Sequence, residues 1–261
     1  MLKIKHVLND LVDCTYPDSD KKDEYKRFYV EMIDKNMKTR HGDYNGMNHH
    51  IRIFNLYRED AAVIATTVHE LTHHIDFINR GFTDHSKEFY EVFQVLLYKA
   101  LDMGIFSKEE FMNANRDASD SNKIAKMLKD YEPEDTGYKK DLRNIEVRNG
   151  YDKKTLLKER GYHWNGINKV WEKEVALNEL ESETTFLQSE SLEYSVNEAT
   201  NLSFRKKSYI VAGKGSYEVR DELKADGFRY DKNTKSWKKE GTQDEIPLYV
   251  KKYPEVVFKT M

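Results

Sequence analysis

Residues 66 to 89 read TTVHELTHHIDFINRGFTDHSKEF, and this stretch decides the fold. His69, Glu70 and His73 form an HExxH pentapeptide. Around it Ile64, Val68, Leu71, Ile75 and Ile78 step by three and four, which predicts one helix with a buried stripe. Glu59 and Asp60 suit its first turn, where the helix dipole favours acid, and Gly81 suits the left-handed position past its end. The expected helix therefore runs over 59–80. Residues four apart share a helix face, so His69 and His73 present two imidazoles to one metal ion. Glu70 lies ~100° further round. It is poorly placed to be a third ligand and well placed to reach a water beside the metal. Two ligands and a general base on one rigid element is the physical content of HExxH.

A histidine pair on a helix is often plain polar surface. Three features set this pair apart: the opposite helix face is apolar, Val-Ile-Ala-Thr-Thr-Val precedes the motif, and a further histidine follows it. A tetrahedral zinc site needs a third protein ligand. The metzincin pattern would put glycine at 76 and histidine at 79, where this chain has Asp76 and Asn79. His85 is the leading candidate, because it opens the next expected helix after the Gly81 turn. Glu88 and Glu91 on that helix are the alternatives. His74 is expected to face away from the metal. Asp76 is either an outer partner of a ligating imidazole or a solvated acid. His49 and His50 are expected to be exposed, and Tyr90 to be an ordinary core or surface tyrosine.

Outside this stretch, residues 2–13 read as either a strand or a short helix. Phe28, Tyr29, Met32, Ile33 and Met37 suggest an amphipathic helix over 19–36, and the alternation in HHIRIFNLY after the turn-rich 41–46 suggests a strand. Phe89, Val92, Phe93, Leu96, Leu97, Ala100 and Leu101 predict a helix ending at Gly104. Ser107 is a candidate N-cap, and another helix is expected around 124–128, before Pro133.

The C-terminal half contains an internal repeat. At an offset of 66, Leu157 matches Leu223, Gly161 Gly227, Lys169 Lys235, Trp171 Trp237 and Lys173 Lys239, while Tyr162 matches Phe228 and Trp164 matches Tyr230. Each copy reads as a strand, a helix ending at the glycine and a hairpin. From Arg205 to Glu240 eleven Lys and Arg stand against six Asp and Glu, and the first copy is basic as well. Trp164, Lys169, Trp171, Tyr230, Lys235 and Trp237 are therefore candidate contacts to DNA, to another nucleic acid or to a protein partner. The bland alternative is that the tryptophans are the cores of small folds. Residues 176–204 are rich in Glu, Ser, Thr and Asn and read as an acidic polar linker, with a helical piece near 175–180.

The whole chain has 261 residues and a net charge of −3, so any nucleic-acid contact needs a local patch. Cys14 is the only cysteine. An internal disulfide and a cysteine zinc cluster are both excluded, and a reducing, cytoplasmic setting is expected. The opening MLKIKHVLNDLVD is not expected to be a secretory signal, and no stretch reaches the ~20 apolar residues of a membrane span.

A strand, a helix with HELTHH, a short turn and DHSKEF opening a second helix together resemble the SprT-like metallopeptidases, which include the Spartan proteases. The match rests on His69, Glu70, His73, His85 and Phe89, with Arg40 and the IRIFN strand before them, and covers about residues 20–115. The resemblance implies a small zincin-like core, with helices packed on a short antiparallel sheet. It implies Zn2+ held by His69, His73 and His85, and Glu70 as the base of peptide hydrolysis. It also implies a protein substrate, which in the best-known members is bound or crosslinked to DNA. The cysteine-rich zinc ribbon of many members cannot form here. The repeats are similar, more weakly, to small modules beside nucleases and helicases in phage and mobile-element proteins. The expected architecture is α+β: a metallopeptidase domain over 1–132, a βαββ-like module over 140–175, the linker over 176–204 and a second such module over 205–261.

Overall fold

The structure is a computed structural model that describes residues 3–260 apart from 34, 36, 117–119, 201, 203, 205–208, 232–234 and 242. It is α+β, with helices on three small sheets. The chain divides into two compact units, Met1–Arg205 and Lys206–Met261.

The first unit opens with α1 (Lys3–Thr15), where Ile4, Val7, Leu8, Leu11 and Val12 form the buried face. The ambiguous start is thus a helix, and its spacing of three and four is the signal. The helix expected over 19–36 is replaced by a single turn, α2 (Lys22–Tyr25), and a strand, β1 (Tyr29–Met32). Val30 is buried between exposed Tyr29 and Glu31, an alternation that suits a strand. The backbone of β1 pairs with β3 (His50–Ile53), so the tertiary ladder overrides a weak helical rhythm. Positions 34 and 36 of the expected helix lie outside the described residues.

The order β1-β3-β2 places β2 (Gly42–Asn45) at one edge. This sheet is mixed and not purely antiparallel, since β1 and β3 run parallel while β2 and β3 run antiparallel. Across it lies α3 (Asp60–Arg80), the HExxH helix, with Val63, Ile64, Val68, Leu71 and Ile75 buried. Gly81 closes it at φ 78, a conformation that costs glycine nothing and other residues about 1 kcal/mol. Next comes α4 (Lys87–Asp102), which buries Phe89, Phe93, Leu96, Leu97, Ala100 and Leu101. Ser107 caps α5 (Lys108–Ala114) in a capping box with Glu110, and α6 (Ser121–Leu128) precedes Pro133.

The rest of this unit is the first repeat copy. It runs β4 (Leu142–Val147), α7 (Lys154–Glu159), β5 (His163–Asn165), β6 (Val170–Ala176), α8 (Leu180–Ser189) and β7 (Tyr194–Glu198). The segment read as a linker is therefore structured: β7 pairs with β4 along its whole length. Leu187 is fully buried in this copy's core, and Glu183 accepts from Arg160 Nε and Lys173 Nζ at 3.0 Å each. Burial of one leucine is worth about 1.5–3 kcal/mol. A polar average over 176–204 hides that gain.

The second unit repeats the plan: β8 (Tyr209–Ala212), α9 (Arg220–Ala225), β9 (Arg229–Asp231), β10 (Ser236–Glu240), α10 (Ile246–Lys252) and β11 (Phe258–Thr260). The sheet orders β5-β6-β4-β7 and β9-β10-β8-β11 are equivalent. Each copy is therefore βαββαβ, one helix and one strand longer than the βαββ expected. Gly161 and Gly227 both close the first helix at φ 87. No described helix is long and apolar enough to cross a membrane.

Candidate metal centre

The site is built by α3, the turn over 81–86 and the start of α4. His69 and His73 sit one helical turn apart on α3, and the turn brings His85 onto them. Each of the three rings offers one nitrogen, and the three nitrogens lie within 4.8 Å of one another. His69 Nε2 and His85 Nε2 are 3.0 Å apart. Two nitrogens on one tetrahedral zinc stand about 3.3 Å apart, from Zn–N bonds of ~2.05 Å. The closest pair fits such an ion with sub-ångström adjustment, and the 4.8 Å limit on the set leaves up to about 1.5 Å of closure to the other pairs. Phe89 is fully buried and backs all three imidazoles, with ring centroids at 5.1, 4.4 and 4.9 Å from His69, His73 and His85.

The two rings on α3 are held neutral. Burial, reinforced by His85, lowers His69 to about 4. Burial, with His69 and His85, lowers His73 to about 3. A neutral imidazole keeps a lone pair for a metal. His73 Nδ1 lies 2.8 Å from Thr83 Oγ1. With the proton on Nδ1 donated to that hydroxyl, Nε2 is left for coordination, which is the usual outer-partner arrangement. Thr83 has no sequence signal, because a turn threonine ten residues downstream is common.

The alternative third ligands lie elsewhere. Glu88 is 3.9 Å from Arg80 and Glu91 3.4 Å from Lys87, and neither joins the cluster. Asp76 is neither an imidazole partner nor solvated: it is buried and accepts twice from Arg80, at 2.7 and 2.6 Å. Arg80 also donates to Asp84 Oδ1 at 2.9 Å, and that oxygen accepts from the Ser86 amide at 3.2 Å. Asp76, Arg80 and Asp84 thus clamp the turn on both sides of His85. Asp84→Ala is expected to leave the melting temperature nearly unchanged and to weaken metal binding by less than the roughly 10–100-fold that follows loss of a group bonded to a ligating imidazole, because Asp84 bonds Arg80 and the Ser86 amide and acts only through the turn. A zinc titration against a competing chelator measures this, and unchanged affinity would remove the clamp from the account.

Glu70 is 6% exposed and points at β2. A Cβ on Gly42 would stand 2.7 Å from Glu70 Oε1 and 2.8 Å from Thr66 Cγ2, so only glycine lets the edge strand pass this close. Burial, then the Asp43 charge, pushes Glu70 up to about 8, with Arg40 opposing. Arg40 and Arg52 both pair with Asp43, at 3.1 and 2.6 Å, and fix that acid beside the site. The sequence reading missed Gly42 and Asp43.

The neighbouring histidines are structural. His74 is buried, with Nε2 3.2 Å from the Glu24 carbonyl and Nδ1 3.0 Å from Tyr44 Oη. His49, expected to be exposed, is partly buried and lies 2.9 Å from the same hydroxyl through Nδ1. His50 is partly buried as well, 3.3 Å from Glu31. Tyr90 donates to Asp120 at 3.0 Å.

In the repeats, Trp171 and Trp237 are buried in the two cores. Their indoles fill the space between sheet and helix, which removes them as stacking surfaces. Trp164 and Tyr230 remain half exposed, and Lys169 and Lys235 are exposed at left-handed hairpin positions, φ 57 and 50.

Neither a family model, nor a curated protein, nor a solved structure matches this chain.

Proposed function

We propose that the chain is a zinc-dependent peptidase of the SprT-like kind, acting on a protein substrate. The observation that supports this most is the convergence of His69, His73 and His85 beside a buried Glu70 that belongs to no ligand set. Zinc at such a site polarises a carbonyl and brings the pKa of a bound water to roughly 7. The chain's own residues do the rest. His69 and His73 give the site a rigid base on one helix, and His85 completes it from the clamped turn. Glu70 accepts the proton of the attacking water and returns it to the leaving amine. Its elevated pKa of about 8 matches a group that must both take and give a proton near neutrality. β2 is the edge strand beside Glu70, and an extended substrate segment can align there as an added strand.

Gly42→Ala tests the closeness of that strand. The added methyl forces Glu70 or β2 to move, and overpacking of this kind costs typically 1–3 kcal/mol. Peptide hydrolysis is expected to fall at least about tenfold, because a misplacement near 1 Å costs up to ~10²-fold, while zinc content holds. Full activity with a wild-type melting curve would show that Glu70 needs no such fit. The proposal as a whole is tested by zinc content and casein cleavage measured on the same sample.

A further inference from the structure

Aligned at the 66-residue offset, the two copies keep more than their cores. Tyr151 and Tyr217 correspond, and they are 75% and 71% exposed. Trp164 and Tyr230 correspond, and they are 51% and 49% exposed. Large aromatics at exposed positions gain little stability, so no core requirement explains their appearance twice.

Cations repeat beside them. Lys154 stands over the Tyr151 ring at 4.8 Å, and its counterpart Arg220 stands over the Tyr217 ring at 4.8 Å. Lys158 and Lys224 follow four residues later. Tyrosine, cation and lysine are thus spaced i, i+3, i+7: the tyrosine stands just before the helix in each copy, and the two cations, four residues apart, share one face of α7 in the first copy and of α9 in the second. The hairpin continues this track. Lys224 lies 5.7 Å from the Trp237 ring, and Tyr230 leans on the same ring at 5.4 Å and 58°. In the first copy Trp164 leans on Trp171 at 5.5 Å and 59°, and Gly150, next to Tyr151, is close enough that a Cβ there would stand 3.1 Å from Trp171. Lys169 and Lys235 are exposed at the hairpin turns. Lys206–Met261 carries 13 Lys and Arg against 9 Asp and Glu; Leu142–Glu198 carries 8 against 11, so in the first copy the cations are local to α7 and the hairpin while the acids gather in and around α8 and β7.

We infer that each copy is a binding module for single-stranded nucleic acid. Tyr151 and Trp164 in the first, and Tyr217 and Tyr230 in the second, are the base-stacking platforms, and the lysines and Arg220 follow the phosphates. The exposed ring faces favour a single strand over a duplex, since paired bases keep their faces inside the helix. An aromatic platform flanked by cations is the arrangement that binds unpaired strands with little sequence preference. This inference does not depend on peptide hydrolysis.

The test is fluorescence anisotropy of the full chain with a labelled oligothymidylate of about 20 nucleotides. Arms with oligouridylate and with a duplex of the same length run beside it, over a salt series. The single strand is expected to bind more tightly than the duplex and to weaken as salt rises. Tyr151→Ala with Trp164→Ala, and separately Tyr217→Ala with Tyr230→Ala, should each weaken binding at least about tenfold, the scale of one or two lost stacking contacts. The corresponding phenylalanine variants, which keep a ring at each position, should retain affinity within about threefold. The uridylate arm distinguishes RNA from DNA as the preferred strand. No binding at low salt, tighter binding of the duplex, or alanine variants that bind like wild type would each overturn the proposal.

Discussion

Glu70→Gln is expected to keep its full zinc content and to lose peptide hydrolysis by about 10²–10⁴-fold, the usual contribution of a general base. The substitution preserves size, and Glu70 lies outside the candidate cluster of three imidazole nitrogens. It is buried between α3 and β2 with Gly42 against its carboxylate, so glutamine occupies the same slot. What it removes is the ability to take a proton. Because burial already raises the pKa of Glu70, the neutral amide places no new charge in the pocket, and melting should change little. Hydrolysis at the wild-type rate would show that Glu70 is not the base. Loss of zinc together with activity would mean that its carboxylate is a ligand, which the geometry contradicts.

His85→Ala is expected to lower metal affinity by more than the roughly 10–100-fold that follows loss of a group bonded to a ligating imidazole, such as Thr83 against His73. His85 is exposed and carries one of the three nitrogens of the candidate metal cluster found among the described residues. Its removal leaves His69 and His73 alone on one helix face, while the Asp76–Arg80–Asp84 clamp and the core around Phe89 stay intact. The fold should therefore survive and the metal should not. Glu88→Ala and Glu91→Ala are the controls, since both side chains face solvent and bases on α3 or α4. Metal retained in the His85 variant and lost in either glutamate variant would reverse the assignment.

Much of this site was legible in the sequence because it rests on local rules. The spacing of His69 and His73, the apolar stripe of α3 and the turn glycine at 81 each follow from helix geometry alone. His85 was legible because the turn is short. What was hidden depends on distant partners. Gly42 shows its importance only once β2 passes Glu70. Asp76 reads as a surface acid until Arg80 is seen folded back onto it. The same distinction explains the errors in the fold. Phe28 to Met32 has a weak helical rhythm, and only the pairing of Tyr29–Met32 with β3 makes a strand there. The supposed linker was misread because the match between the copies stops near Glu174 and Glu240, although α8 with β7 occupies the place of α10 with β11. Trp171 and Trp237 were candidate contacts because a repeated tryptophan looks functional. The structure assigns them to the cores and leaves exposure to the less repeated pair, Trp164 and Tyr230.

X-ray absorption at the zinc edge, on the purified full chain with its metal content determined, tests the central claim most directly. The account predicts one zinc per chain with three imidazole nitrogens at about 2.0–2.1 Å. A chain that takes up no stoichiometric metal, or a spectrum without imidazole scattering, would contradict it.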